Sequence, residues 1–185
     1  MKEGKIQISY GFICLMCLLY LFDRQHLFWQ TVLAAAVHEC GHLLVIALTG
    51  TRIRSFRLSA YGACIELDEV NQISYATEAL IAAGGPTFGA CVALTFANVA
   101  PVFAGLNLCL SLFNLLPIAP LDGGKILRSC FSSFLDVDLV ERCLQWIGLA
   151  IGLFLVITVL FFSGKINCTI GMILFSAFLI RMCVL

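Results

Sequence analysis

Charge is what this sequence has least of. Of its 185 residues, 12% are charged and 61% are hydrophobic, and the mean hydropathy is +1.02. Soluble domains usually carry about 25% charged and roughly 45–50% apolar residues. The scarcity of charge therefore excludes an ordinary soluble protein and indicates an integral membrane protein. Too little polar sequence remains for a separate soluble domain, so we expect one domain over residues 1–185.

Long hydrophobic runs make up most of the chain, and each is close to the roughly 20 residues that a helix needs to cross a bilayer. The first run lacks the small-residue pattern of a signal-peptide cleavage site, so we interpret it as a retained helix. The predicted fold class is an all-α polytopic membrane protein with about six transmembrane helices. These are placed at residues 8–22, 28–49, 77–100, 102–116, 144–162 and 166–185.

The basic residues are unevenly distributed between alternate loops. If the N-terminus is cytoplasmic, six spans place nine lysines and arginines on the cytoplasmic side and two, Arg24 and Lys165, on the other side. Cytoplasmic loops of membrane proteins carry an excess of these residues. We therefore predict a multi-pass protein with both termini in the cytoplasm and the lipid bilayer as its surroundings.

Within this apolar background, the segment AAAVHECGHLLVIALTG at residues 34–50 places three ionisable residues within five positions. His38 and His42 are four residues apart, so both imidazoles lie on one helix face and can bind one metal ion. This is the H-E-x-x-H arrangement, in which the glutamate, here Glu39, is the general base. The motif also occurs by chance on solvated helices. A charge at mid-membrane costs roughly 2.5–3.5 kcal/mol, however, and this cost favours a zinc site.

A second polar break, NLLPIAPLDGGKIL at residues 114–127, offers a third ligand for zinc. Pro117 and Pro120 remove helical hydrogen bonds, and two glycines follow Asp122, so the chain can leave the helix and turn a carboxylate inward. The alternative is an ordinary turn in which Asp122 caps the next helix. Because this break is predicted at the same membrane face as the histidines, we favour Asp122 as a ligand.

Together and in this order, HECGH and NLLPIAPLDGG resemble the zinc motif and second signature of the site-2 protease family of intramembrane zinc metalloproteases. The branch most similar is the bacterial stage IV sporulation branch, which processes a sigma-factor precursor. The resemblance covers residues 34–125. It implies that His38, His42 and Asp122 bind Zn²⁺. It also implies that Glu39 activates the attacking water.

The same resemblance implies residues that contact the substrate. Asn114 would hold the substrate or stabilise the oxyanion, although it could instead satisfy backbone groups freed by Pro117. Residues 82–90, AAGGPTFGA, resemble the family's Ala-Gly-Pro motif, so Gly85 and Pro86 join Asn114 and Pro117 as candidate substrate-binding residues. Many relatives carry an asparagine shortly after this proline, whereas Thr87 and two further residues without an amide side chain follow here.

Residues 55–67, SFRLSAYGACIEL, alternate apolar and polar side chains on both sides of Tyr61 and Gly62. A period of two around a turn predicts a small β-hairpin, between the second and third spans. The simplest interpretation is a membrane-associated hairpin at the interface. The family resemblance implies a further role, in which the hairpin holds an extended substrate as an added strand.

These observations predict a zinc-dependent intramembrane endopeptidase that cleaves near the cytoplasmic face. Its expected substrate is a membrane-embedded or membrane-associated protein, such as a sigma-factor precursor or an anti-sigma factor. A regulatory membrane partner is also expected, and no nucleic acid. Two alternatives are a metal transporter or sensor, and an inactive scaffold. We see no internal repeat typical of transporters, and every residue that the chemistry requires is present.

Overall fold

The computed structural model describes residues 5–23, 26–59, 62–67 and 73–162. The chain divides into two compact units, residues 1–112 and 113–185. The described residues are mostly helical and include one three-stranded sheet. The elements are β1 (Lys5–Ile8), α1 (Tyr10–Leu21), α2 (Phe28–Thr49), β2 (Ile53–Ser59), β3 (Gly62–Leu67), α3 (Tyr75–Phe96), α4 (Pro101–Asn114), α5 (Asp122–Phe131) and α6 (Val137–Phe162).

The sheet of the first unit has the strand order β1-β2-β3. β2 and β3 are antiparallel, with Ser59 opposite Gly62, in the region where alternation predicted a hairpin. The turn residues 60–61 lie outside the described residues. β1 pairs with β2 in parallel, whereas the hydrophobic pattern predicts a helix that already includes Ile8. The helix starts two residues later because the Ser9 hydroxyl accepts from the backbone N–H of Phe12 at 3.2 Å.

α2 and α3 have clear start and stop signals. The carboxylate of Asp23 accepts hydrogen bonds from the backbone N–H groups of Leu27 and Phe28, at 3.0 and 2.8 Å, where α2 begins. Gly50, at φ +68°, ends α2 in the left-handed conformation that glycine adopts without strain. The hydroxyl of Ser74 accepts from the N–H of Thr77 and so caps α3.

Glycines bring α2 and α3 into close backbone contact. A Cβ on Gly84 would lie 2.7 Å from the Gly41 carbonyl oxygen, and a Cβ on Gly41 would lie 2.7 Å from the Phe88 Cβ. Small residues at such positions let two apolar helices pack backbone to backbone. α3 also runs through Pro86 without a break. This contact fixes the separation of the two helices that carry the candidate site.

Among the described residues, α2 and α3 are long and apolar enough to cross a membrane, judged by length and composition. α1 and α4 are shorter apolar helices. The predicted fifth span lies inside α6. The predicted sixth span, residues 166–185, lies outside the described residues, so the count of six and the orientation stay predictions.

α4 ends at Asn114, two residues into the second unit, and the segment 115–121 leads from it to α5, as the two prolines predicted. A small core of Ile118 and Leu121 packs with Phe113, Leu116 and Ile151. α5 packs beside α6, and Arg128 Nε lies 2.9 Å from Glu141 Oε1 between them.

Candidate metal centre

The two histidines of the H-E-x-x-H motif lie on the buried face of α2. The buried residues of this helix are Ala34, His38, Gly41, His42 and Ile46, a spacing of three and four residues that defines one face. The side chains of His38 and His42 are 5% and 7% exposed. Cys40 is exposed, so it does not share their face. The helical period therefore selects these two side chains and leaves the cysteine outside.

The imidazoles converge through their Nε2 atoms. His38 Nε2 and His42 Nε2 are 3.2 Å apart, and the ring planes meet at 81°. Two nitrogens bound tetrahedrally to zinc at 2.0–2.1 Å would be about 3.3–3.4 Å apart. The observed separation therefore fits two ligands of one zinc ion. The same distance also suits a hydrogen bond between the two rings. A zinc-binding measurement distinguishes the two arrangements.

A backbone carbonyl of α3 orients His42. The Nδ1 atom of His42 lies 2.8 Å from the carbonyl oxygen of Ile81. Because a carbonyl oxygen only accepts, Nδ1 carries the proton and donates it, and Nε2 keeps its lone pair for a metal. Sequence reasoning missed this contact because a carbonyl leaves no signature in the residue types around it.

Gly85 faces the same two rings. A Cβ at this position would overlap His42 Nε2 and would lie 2.7 Å from His42 Cε1 and 2.8 Å from His38 Nε2. Such distances are shorter than ordinary carbon contacts, so only glycine leaves room for the imidazoles here. Gly85 was predicted to contact substrate. The structure places it against the histidines, and its contact with substrate stays a prediction.

Glu39 follows His38 directly and is half-buried on α2. Its neighbours in the sequence on either side, His38 and Cys40, lie on the buried and exposed faces respectively. Glu39 therefore lies at the boundary between the buried and exposed faces of α2, the helix that carries both candidate histidine ligands. Its role as general base stays a prediction.

The second unit contains the predicted third ligand. Asp122 is 4% exposed and is the first residue of α5, after the cap residue Leu121. Our alternative, in which Asp122 is itself the capping residue, is thus not what the helix shows. Its Oδ1 atom lies 3.4 Å from Lys125 Nζ, on a side chain that is half exposed. Asp122 is buried as a ligand should be, and its participation beside the histidines stays a prediction.

Gly123 and Gly124 explain how Asp122 is held. A Cβ on Gly123 would lie 2.5 Å from the Leu116 carbonyl oxygen, and one on Gly124 would lie 2.8 Å from the Ala119 Cα. The start of α5 therefore packs directly on the backbone of the preceding segment. The two glycines thus let the first turn of α5 pack closely on the backbone of residues 115–119.

The remaining candidate substrate contacts have different positions. Asn114 is the last residue of α4 and is half-buried, and Pro117 is half-buried in the segment that follows it. Pro86 is buried inside α3. The structure tests none of these as substrate contacts, so they stay predictions.

Three comparisons relate this chain to known proteins. Residues 95–159 match the model of peptidase family M50. Stage IV sporulation protein FB of Bacillus subtilis is 30% identical over 121 residues, which cover 60% of this chain and 42% of that protein. Rip3 of Mycobacterium tuberculosis, named as a candidate zinc metalloprotease, is 36% identical over 108 residues, which cover 50% of this chain and 27% of that protein. The chain thus spans less than half the length of these relatives.

A solved structure, the site-2 protease from Methanocaldococcus jannaschii, has the same fold. The TM-score is 0.71 at 24% identity, and the match covers 99% of this chain and 90% of that one. At this identity the likeness shows the fold alone. The match of residues 95–159 to the model of peptidase family M50 confirms the resemblance seen in the two motifs: this chain is similar to members of that family in sequence and to a site-2 protease in fold.

Proposed function

We propose that this chain is a zinc-dependent intramembrane endopeptidase that hydrolyses a peptide bond of a membrane-embedded or membrane-associated protein. The observation that carries the proposal is the convergence of the two Nε2 atoms at 3.2 Å, with the proton of His42 held on Nδ1 by the Ile81 carbonyl. An apolar helix that buries two imidazoles in this way is suited to hold a metal. The family match and the zinc metalloproteases among the relatives support the same proposal.

Each residue then has a defined task. His38, His42 and Asp122 would hold the zinc ion. When bound, zinc supplies Lewis-acid polarisation of the scissile carbonyl and activation of water. Glu39 would accept the proton of the attacking water and pass it to the leaving amine.

Substrate binding is proposed at two places. Among the described strands, β3 pairs only with β2, so its other edge has backbone groups available to an extended peptide. A strand exposes peptide bonds that a transmembrane helix keeps within its own hydrogen bonds. Asn114 and Pro117, at and after the end of α4, are the proposed contacts near the scissile bond.

The proposed setting is a bacterial plasma membrane with cleavage near the cytoplasmic face. The segment 51–75 and the break after Pro117 both lie on the cytoplasmic side in the predicted topology. A regulatory precursor such as that of a sigma factor is the proposed substrate, with a separate membrane protein as regulator. The sporulation protein among the relatives supports this choice.

The decisive experiment is Glu39→Gln in the purified, membrane-reconstituted protein. We expect zinc to remain at the wild-type stoichiometry while cleavage of a membrane-inserted test substrate is lost, because an amide cannot accept the proton. Glu78→Gln, in the first turn of α3, is the matched control and should retain cleavage. Wild-type turnover by Glu39→Gln would rule out the proposed base, and absence of zinc from the wild-type protein would rule out the metalloprotease.

The same variant can identify the substrate. A Glu39→Gln protein that binds without cutting should retain substrate, so captured proteins can be compared with those on Glu78→Gln by mass spectrometry. The cleavage site in a captured protein of known orientation then tests the predicted side of the membrane. Scission at the external end of its span would contradict the topology.

A further inference from the structure

α4 carries two buried polar side chains that the proposed chemistry does not use. Asn107 and Ser111 are 1% and 2% exposed. They are four residues apart and therefore lie on one face of the helix. The neighbouring α4 residues Leu108 and Leu112 are 44% and 59% exposed, so the polar pair faces inward.

Both side chains have polar atoms without a protein partner among the described residues. The Nδ2 of Asn107 donates to the Phe103 carbonyl at 2.9 Å, but its Oδ1 has no partner. The Ser111 Oγ also has none. Buried polar atoms in proteins are nearly always hydrogen-bonded, and inside a bilayer no bulk water can serve them. Two such atoms one helical turn apart therefore call for a bound polar molecule.

Asn107 and Ser111 lie near the same part of α3 as the two histidines. The Ser111 hydroxyl lies against α3 at Gly89, where a Cβ would overlap it. Gly89 is one helical turn from Gly85, which faces His38 and His42. The lack of a side chain at these two glycines thus lets α2 place its imidazoles, and α4 its hydroxyl, against the same stretch of α3.

We propose that Asn107 and Ser111 bind an internal water molecule beside α3, about one helical turn from the histidine pair. An amide oxygen accepts and a hydroxyl both donates and accepts, which matches the two donors and two acceptors of water. Two uncharged oxygens are too few for a hard cation, which takes six or more oxygen ligands. Resting on the proposed function, we further propose that this water is the reserve from which hydrolysis draws.

Radiolytic footprinting tests the site, because X-ray pulses generate hydroxyl radicals from internal water in place. The probe is a Ser111→Cys variant of the full chain in lipid nanodiscs, with oxidation at each cysteine read by mass spectrometry. Cys109 lies on the opposite side of α4 and is exposed, hence toward lipid, so it is an internal control of equal intrinsic reactivity. We expect the buried thiol introduced at position 111 to oxidise faster than Cys109.

A second substitution shows which group holds the water. Asn107→Leu, combined with Ser111→Cys, keeps the branching pattern of asparagine and removes the amide oxygen. We expect the faster oxidation at position 111 to be lost. Oxidation at 111 no faster than at Cys109, or unchanged by Asn107→Leu, would overturn the water site. If the double variant does not fold, the comparison within Ser111→Cys decides alone.

The catalytic role has a separate readout. Asn107→Leu alone should slow cleavage while zinc stoichiometry stays at the wild-type value, because the residue is not a ligand. Unchanged cleavage would refute the role as a reserve and leave the footprint result standing. Failure of the proposed protease itself would instead be seen as Glu39→Gln retaining cleavage, or as a wild-type protein without zinc.

Discussion

Gly85→Ala is the substitution that tests most directly how the metal centre is built. The new methyl group would lie 2.7 Å from His42 Cε1 and 2.8 Å from His38 Nε2, whereas ordinary contacts of a Cβ begin at 3.4 Å. One ring or the helix must therefore move by at least about 0.7 Å, since the same methyl group would also overlap His42 Nε2. Zinc sites tolerate deviations of about 0.2 Å in ligand distance.

We expect the zinc affinity of Gly85→Ala to fall by about 10- to 100-fold, the usual effect of disturbing residues that orient metal ligands. This corresponds to about 1.4–2.8 kcal/mol of binding free energy. The assay is competition for zinc with a chromophoric chelator on the reconstituted protein. Wild-type zinc affinity in Gly85→Ala would refute the reasoning, because the imidazoles would then not need the space that glycine leaves.

Two control variants separate this effect from a general loss of packing. At Gly105, on α4, a Cβ would meet nothing within 4 Å, so Gly105→Ala should bind zinc as the wild type does. At Gly84 a Cβ would meet the Gly41 carbonyl and Val45 instead of the imidazoles, so Gly84→Ala should lower thermal stability more than zinc affinity. If Gly84→Ala and Gly85→Ala lost zinc affinity equally, the cause would be an increased distance between α2 and α3 and not a clash with the imidazoles.

Two further predictions concern the ligand set and the second unit. The buried Asp122 should be needed for both zinc binding and cleavage, so Asp122→Ala should lose both, whereas Cys40→Ser, at an exposed position, should keep both. The measurement is metal analysis of the purified variants. A wild-type zinc content in Asp122→Ala would exclude Asp122 as the third ligand. Gly124→Ala should lower the melting temperature, because its Cβ would lie 2.8 Å from the Ala119 Cα. We expect the free energy of unfolding to fall by about 1–3 kcal/mol, as at other overpacked sites. An unchanged melting curve would contradict this packing.

The helical parts of the site could be predicted because they follow from local spacing. α2 has the predicted limits, residues 28–49, and the four-residue spacing of His38 and His42 is enough to place both rings on one face. The break between α4 and α5 was likewise predictable, since Pro117 and Pro120 cannot continue a helix. The family resemblance, drawn from the two motifs, is confirmed by the comparisons.

What could not be predicted depends on contacts between distant segments. β1 is four residues long, and its pairing with β2 joins Lys5 to Ser55 across the chain, so no local period marks it. The position of Gly85 against the imidazoles depends on how α3 packs on α2. Asn107 and Ser111 did leave a signal, two polar residues four apart in an apolar run, but that spacing alone does not show that they are buried.

The hydrogen bond from His42 to the Ile81 carbonyl has a consequence for how this protein tolerates sequence change. Every residue supplies the same carbonyl oxygen, so exchanging the isoleucine side chain for another apolar one leaves the acceptor in place. A mutational scan would therefore score position 81 as permissive and overlook the group that holds the imidazole. The acceptor for His42 moves only if the backbone of α3 moves. The orientation of the ring therefore depends on the course of this helix and not on the identity of any one side chain along it.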